Sequence, residues 1–190
     1  MTVIKDGKGR GFVAAVNSDK ELTTRSTIVE QRLASALDQN YYEASTGQII
    51  LTNANETGII YIKNLNSLDI VIDRVFYDIW SSTGGDANGG ILKYYKNPTI
   101  TGGTILTPIN TNFGSVLSAN VTSLISLTTI TGIVWWTALI TPLMSIPSDE
   151  GRIVVPTNSS FGISIQAPTG NTSMKVSINI AFFMFDKELL

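Results

Sequence analysis

The run "MKVSINIAFFM", residues 174–184, alternates apolar and polar side chains with a period of two. Its apolar positions are Met174, Val176, Ile178, Ile180, Phe182 and Met184. Period two is that of a β-strand, whose successive side chains point to opposite faces of a sheet. Because a strand with one apolar face needs a second layer to cover that face, this run restricts the chain to a layered β fold.

Similar runs occur upstream. "FGISIQA" repeats the alternation, "GRIVV" precedes it, and the turn-forming "PTNSS" and "PTGN" separate these runs. We predict three consecutive antiparallel strands within residues 151–185. Further strands are predicted in "GQIILT", "GIIYIKN", "DIVIDRVFYDIW" and "ILKYYKN", and a loop is predicted in "STGGDANGG".

Seven short strands without a repeating period of 20–50 residues predict an all-β fold, a jelly-roll-like antiparallel β-sandwich. Helical periodicity is confined to residues 26–40, which form either one helix or an extended crossing. The glycine-rich, polar start predicts an extended N-terminal arm. We therefore predict a docking arm over residues 1–26 and a single β-sandwich domain over residues 27–190.

The residue types that the chain lacks restrict its chemistry. It has no cysteine and no histidine, so disulfides, thiolate nucleophiles and Ser–His or Cys–His catalysis are excluded. A net charge of −2 predicts no attraction to nucleic acid. Asp69 and Asp73 share strand parity, whereas Asp78 has the opposite parity; a carboxylate hydrolase is the alternative to solvated aspartates. We expect no cofactor, no metal and no enzymatic activity.

Residues 97–148 contain no Asp, Glu, Lys or Arg, and the whole chain is only 15% charged against a typical quarter. Part of this charge-free run, residues 124–146, is long enough for a transmembrane helix. Threonines, serines, Gly132 and Pro142 interrupt it, and no basic residues flank it. We favour buried strands and subunit contacts, because an uncharged surface is desolvated at little cost.

Four aromatic side chains are candidates for a subunit interface. Trp135 and Trp136 are adjacent, so in a strand they face opposite ways, one into the core and one towards a partner or a sugar. Phe183 and Phe185 fall on the otherwise polar face of the last strand. They form either an exposed interface or local core packing.

The opening "VIKDGKGRGFVAAV" lacks the Gly-x-Gly-x-x-Gly spacing of a phosphate loop and continues as a strand-like run. It is read as a flexible arm, or as an arm whose Lys5, Lys8 and Arg10 pair with acidic groups of a partner. Charges and glycines follow Val3 and Ile4 at once, so the start does not have the apolar stretch of a signal peptide.

Three stretches of the chain resemble virion proteins of tailed bacteriophages. The start has that family's "I-x-D-G-x-G" followed by "A-x-V-x-x-x-x-x-L-x-x-R-S". "YYEASTGQIILTNANETGIIYIKN" is similar to a pattern of aromatic, threonine-glycine, "LT-x-A-N-E-[ST]" and "[LI]-Y-[IL]-K-N". The end is similar to "V-P-x-x-S…PTGNTSM…V". Together these stretches cover about half of the chain, and none is a catalytic signature.

The resemblance implies a jelly-roll β-sandwich, often a homotrimer, whose N-terminal arm docks on the particle. It implies a non-enzymatic capsid decoration (cement) protein, made in the bacterial host cytoplasm and placed on the capsid exterior. The expected partner is the major capsid protein or another virion protein. The arm residues expected to dock are Ile4, Lys5, Asp6, Lys8, Arg10, Phe12 and Arg25. The alternative is a head or tail fibre module that binds host-surface glycans through Trp135 or Trp136 and the polar side chains of "GGDANGG".

Overall fold

The computed structural model describes residues 3–5, 13–16, 22–23, 35–52, 55–83, 90–140, 145–146, 153–170 and 173–185. The chain divides into two compact units, Met1–Gln31 and Arg32–Leu190.

The first unit contains a small antiparallel sheet of three strands, β1 (Val3–Lys5), β2 (Val13–Val16) and β3 (Leu22–Thr23), in the order β1-β2-β3. Ile4 lies opposite Ala14. We predicted a single extended segment; the backbone is extended, but the strands pair with one another. Pairing satisfies the backbone N–H and C=O groups that an isolated strand leaves to water.

The second unit begins with a helical turn at residues 35–37. The rest of the possible helix, residues 26–34, lies outside the described residues. The strands that follow are β4 (Tyr41–Ser45), β5 (Ile49–Leu51), β6 (Glu56–Asn64), β7 (Asp69–Thr83), β8 (Gly90–Thr101), β9 (Thr104–Ile105), β10 (Ile109–Asn110), β11 (Val121–Leu127), β12 (Thr129–Ile140), β13 (Ser145–Ile146), β14 (Ile153–Val155), β15 (Ser160–Gln166) and β16 (Ser173–Phe185).

These strands form two antiparallel sheets that enclose one core. The seven-stranded sheet has the order β10-β4-β16-β7-β13, with β14 also paired to β7 and β5 to β16. The six-stranded sheet has the order β12-β8-β15-β6-β11-β9. Buried side chains of both sheets belong to a single apolar cluster. The predicted all-β sandwich is therefore confirmed.

The period-two patterns place the predicted side chains in this core. All six apolar positions of "MKVSINIAFFM" are buried in it, and so are the alternating residues of the two preceding runs: Met174, Val176, Ile178, Ile180, Phe182 and Met184 of β16, Phe161, Ile163 and Ile165 of β15, and Ile153 and Val155 of β14. The alternation therefore identified the buried face of each strand correctly.

The three strands predicted within 151–185 are present, but they do not pair with one another. β14 pairs with β7, β15 pairs with β6 and β8, and β16 pairs with β4, β5 and β7. Consecutive strands thus alternate between the two sheets. Hydrophobic period identifies a strand and its buried face, but it carries no information on which strand lies next to it.

The charge-free run forms strands instead of a membrane-spanning helix. Its described part contains β9, β10, β11, β12 and β13. Among the described residues, no helix has the length and apolar character needed to cross a membrane. The abundance of threonine and β-branched residues accounts for the strand conformation.

A β-bulge changes the face on which part of β7 lies. Ile72 and Val75 both point into the core, with Asp73 and Arg74 between them, and the register with β16 shifts at this point. The extra residue reverses the parity of the positions that follow. Asp78 therefore shares the outer face with Asp69 and Asp73, contrary to the parity that we predicted from an unbroken strand.

Candidate interaction surfaces

The described part of the chain exposes fourteen large apolar side chains, and nine of them belong to the charge-free run 97–148. They form two groups. The loop surface consists of Ile105, Ile109, Phe113, Val116 and Leu117. The β12 surface consists of Ile133, Val134, Trp135 and Leu139. Clusters of exposed apolar side chains without charges are typical of surfaces that contact another macromolecule.

Three side chains of the loop surface, Phe113, Val116 and Leu117, lie in a well-connected turn between β10 and β11. Asn112 accepts a hydrogen bond through its Oδ1 from the Gly114 N–H (3.1 Å) and through its backbone oxygen from the Ser115 N–H (2.8 Å). Its side-chain amide donates to the Ala36 carbonyl. Although the turn is anchored, Phe113 is 95% exposed and Val116 is 96% exposed. The turn therefore holds two apolar side chains out into solvent.

One charged pair borders the loop surface. Glu43 lines a depression of about 450 Å³ together with Ile109 and Phe113. Its Oε1 atom lies 2.7 Å from Nη2 of Arg74 on the neighbouring part of the seven-stranded sheet. The apolar side chains thus have a polar border, which is the usual anatomy of a protein–protein contact.

The β12 surface lies on a terminal strand of the six-stranded sheet. Among the described strands β12 pairs only with β8, so one row of its backbone groups faces away from the sheet. Natural proteins usually protect such an edge with charges or proline. β12 contains neither, and no described strand pairs with its outer edge.

A β-bulge in β12 determines where the side chains of the two tryptophans point. Val134 lies opposite Tyr95 and Trp136 lies opposite Tyr94, so Trp135 is the extra residue. Both indole rings contact the Tyr94 ring, with centroids at 5.7 Å for Trp135 and 4.6 Å for Trp136. Regular alternation predicted the two rings on opposite faces of the sheet; because of the bulge, both rings instead reach Tyr94. Trp136 packs against the core, whereas Trp135 is 47% exposed.

Trp135 forms one wall of a cleft of about 510 Å³ between β8, β12, β14 and the start of β15. Val154, Pro156 and Phe161 give the cleft further apolar surface, and Lys96 and Asn97 lie at its polar side. Among the described residues Lys96 has no ion-pair partner. Volume and lining are those of a site that binds a small ligand or an apolar side chain.

The walls of the cleft are held in place by hydrogen bonds. Asn97, in the left-handed region at φ 47°, accepts a bond through its Oδ1 from the Ser160 N–H at 2.8 Å. The fully buried side chain of Asn64 donates to the carbonyl oxygens of Val155 and Leu68, both at 2.9 Å. These contacts fix β14 and the start of β15 relative to β6 and β8, so the cleft is preorganised.

Phe183 is not part of an exposed interface. It is 5% exposed and stacks on Tyr41, with ring centroids 6.4 Å apart, in a small cluster on the outer face of the seven-stranded sheet. Phe185 is partly buried against the same cluster. Local packing is therefore the correct alternative for Phe183, because the 35–41 segment covers the face that the sequence pattern left open.

Asp73 is buried instead of solvated. It is 4% exposed, and its Oδ2 accepts a hydrogen bond from the Tyr41 hydroxyl at 2.7 Å. The pKa of Tyr41 is raised, mainly by burial of the hydroxyl and to a smaller extent by its hydrogen bond to the Asp73 carboxylate. At about 3.3 Å per residue, Asp69 and Asp73 lie roughly 13 Å apart along β7. That spacing exceeds the roughly 5–9.5 Å between the carboxyl groups of glycosidases.

A polar network that the sequence analysis missed surrounds Glu56 on the six-stranded sheet. Its carboxylate accepts bonds from Lys93 Nζ (2.5 Å), from Ser164 Oγ (2.5 Å) and from the Tyr95 hydroxyl. Burial opposes ionisation of Glu56, but the three donors outweigh it and lower the pKa of Glu56. Burial and the bond to Glu56 raise the pKa of Tyr95 to about 12. The network is satisfied internally, which indicates a stabilising role.

Two of these structural residues occupy positions of the quoted motifs. Glu56 is the acidic residue of "LT-x-A-N-E-[ST]", and Asn64 ends "[LI]-Y-[IL]-K-N". Of the arm residues, the structure describes only the backbone of Ile4 and Lys5; Asp6, Lys8, Arg10, Phe12 and Arg25 lie outside the described residues, as does most of "GGDANGG". Comparison with models of known protein families and with curated proteins finds no match for this chain.

Proposed function

We propose that the protein is a non-enzymatic capsid decoration protein of a tailed bacteriophage, which self-assembles and binds the capsid exterior through its N-terminal unit. The observation that carries the proposal is the pair of exposed, charge-free apolar surfaces. A protein that worked alone in solution would benefit from charge on these surfaces. A protein that covers them with other chains gains from their being uncharged, because only apolar and weakly polar groups are desolvated.

The strand order also supports the proposal. We infer that the sandwich is a jelly roll. We assign its eight strands, in chain order, to β4, β6, β7, β8, β12, β14, β15 and β16, with β5, β9, β10, β11 and β13 as additions to the two sheets. Numbered in that order, they follow 1-8-3-6 in one sheet and 5-4-7-2 in the other. This arrangement of two Greek keys is common in viral capsid and lectin domains.

The proposed mechanism is adhesion. Strands of the first unit offer two sheet edges, β1 and β3, to which a capsid strand can add by main-chain hydrogen bonds. Lys5, Lys8 and Arg10 then set the register with acidic groups of the shell. Self-assembly into a homotrimer multiplies these weak contacts, and the linked contacts give high avidity.

Co-sedimentation with capsids that lack the protein tests this function. We expect the wild-type chain to sediment with the capsids and the Lys8→Glu/Arg10→Glu variant to remain in the supernatant, with its own assembly unchanged. The matched control reverses two lysines of the sandwich, Lys63 and Lys175, and should still bind. No binding by the wild-type chain contradicts the function, and equal binding by all variants contradicts docking through the basic arm.

The cleft beside Trp135 favours a second candidate, a fibre module that binds glycans. An exposed indole face next to an amide and an ammonium group is suited to a sugar ring and its hydroxyl groups. A glycan array distinguishes the two functions: saccharide-specific binding that is lost in Trp135→Ala supports this candidate, and absence of binding removes it.

A further inference from the structure

We propose that the turn at residues 112–117 of one copy inserts Phe113 into the cleft beside Trp135 of a neighbouring copy. This inference deepens the self-assembly part of the proposed function and rests on it. It assigns the two apolar surfaces to each other, as the two halves of one repeated contact. A turn that is anchored by hydrogen bonds, and yet fully exposes two apolar side chains, is suited to insertion into an apolar receptor.

The cleft provides that receptor on the same polypeptide. Its volume of about 510 Å³ accommodates a phenylalanine ring with room for the neighbouring Val116 side chain. The walls are the exposed face of Trp135, Val154 and Pro156. A phenylalanine that enters beside Trp135 gains an aromatic pair in addition to the burial of its surface.

The charges of the two surfaces are compatible. The turn and β12 both belong to the charge-free run, so the centre of the contact desolvates no ionised group. At the borders the loop surface carries Glu43, which is paired with Arg74, and the cleft carries Lys96, which lacks an ion-pair partner among the described residues. The Glu43–Arg74 pair carries no net charge, but the half-exposed Glu43 carboxylate is free on one side to meet Lys96 of the neighbouring copy.

The apolar side chains of turn and cleft supply about half of a small specific interface. On the turn these are Ile109, Phe113, Val116 and Leu117, and in the cleft they are Trp135 and Val154. Their exposed fractions add up to about four fully exposed side chains, on the order of 600 Å² at roughly 150 Å² each. A specific interface buries about 1,200–2,000 Å² in total, so polar neighbours of both surfaces provide the remainder.

The two halves lie at different places on the chain, which allows a head-to-tail contact. In the proposed contact each copy uses its turn on one neighbour and its cleft on another, so the contact is heterologous. Heterologous contacts close into a ring when the rotation between copies allows it. A closed ring satisfies every turn and every cleft, and a three-membered ring is the one that matches the proposed homotrimer.

Sedimentation and disulfide trapping test the contact. We expect Phe113→Ala and Trp135→Ala each to weaken self-association about 30-fold or more, as loss of an interface anchor does. The control is Ile50→Ala, which removes an exposed apolar side chain from β5, outside the turn, the cleft and their charged borders, and should leave the assembled mass unchanged. A melting curve of each variant verifies that the fold is retained.

Because the chain has no cysteine, every disulfide in the trapping experiment is an engineered one. We expect Phe113→Cys chains mixed with Val154→Cys chains to form covalent pairs and each variant alone to form none. Self-crosslinking of Phe113→Cys alone would indicate a two-fold contact and overturn the inference. So would an unchanged mass for Phe113→Ala, or a saccharide bound in the cleft of the assembled protein. Capsid binding by these variants is measured separately, so failure of this contact is distinguishable from failure of the proposed function.

Discussion

Replacement of Asn64 by alanine tests how the motif residues stabilise the sandwich. Asn64 is fully buried at the end of β6, and each polar atom of its side chain has a partner. Its Nδ2 donates to the carbonyl oxygens of Leu68 and Val155 at 2.9 Å, and its Oδ1 accepts from the backbone N–H of Asn66 at 2.8 Å. The side chain thus joins β6, the turn that follows it and β14.

The expected loss of stability follows from these bonds. Alanine removes both donors and leaves two carbonyl oxygens with one partner fewer, of which that of Val155 is buried. A typical hydrogen bond contributes about 1 kcal/mol, and a buried group left unsatisfied costs about 1–3 kcal/mol. We expect Asn64→Ala to lower the free energy of unfolding by about 2–4 kcal/mol. For a domain of this size, such a loss lowers the melting temperature by about 5–15 °C.

Urea denaturation followed by circular dichroism measures the loss of stability, and two further variants serve as controls for its cause. Asn64→Asp has nearly the same shape but places a carboxylate oxygen where Nδ2 donates, facing the carbonyl oxygens of Leu68 and Val155, so it should destabilise at least as much as alanine. Asn120→Ala removes an exposed bond to the Leu65 carbonyl and should change stability by less than about 0.5 kcal/mol. An Asn64→Asp variant as stable as the wild type would refute the hydrogen-bond explanation.

Three other substitutions test the remaining networks. The lowered pKa of Glu56 means that its ionised form stabilises the fold above about pH 4.3, and that this contribution is lost as the pH falls through the lowered value. Glu56→Gln should therefore be less stable than the wild type at pH 7. In a plot of urea midpoint against pH, the decrease of the midpoint at acid pH should be smaller for this variant than for the wild type. Tyr41→Phe should cost about 1–3 kcal/mol in the same assay at pH 7, because buried Asp73 loses a donor; no loss would show that this bond contributes nothing. A Cβ atom on Gly162 would lie 2.8 Å from a side-chain carbon of Ile130, which is too close without a shift of the neighbours. Gly162→Ala should therefore lower the free energy of unfolding by about 1–3 kcal/mol, seen as a lower melting temperature. Gly114→Ala, where the added carbon has more space, should leave the melting temperature unchanged.

The sequence predicted those parts of the fold that depend on local pattern. The alternation in β14, β15 and β16 identified the strands and their buried positions, because burial of one face imposes period two on each strand separately. It did not predict their neighbours, since strands adjacent in sequence lie in opposite sheets. The bulges at Asp73 and Trp135 were also missed, and each changed the predicted face of a side chain.

The interaction surfaces could be predicted only in part. From the absence of charge we predicted buried strands and subunit contacts in residues 97–148; the strands are present, but many of their side chains are exposed instead of buried, and the subunit contacts stay a prediction. The sequence did not single out Phe113 or Val116, because a single apolar residue in a polar turn has no periodic signature. Their importance depends on an exposure that only the folded chain reveals. For Phe183 the sequence pattern suggested an exposed interface residue, but a segment distant in sequence covers its ring.

Electron cryo-microscopy of particles of the phage that we propose as the source tests the proposed capsid role most directly. We predict density for a ring of jelly-roll sandwiches on the outer surface of the capsid, with the N-terminal unit in contact with capsid subunits and the 112–117 turn seated against the neighbouring copy. Particles that carry no copy of the chain on their outer surface, or that carry single sandwiches with the turn and cleft both open to solvent, would contradict it.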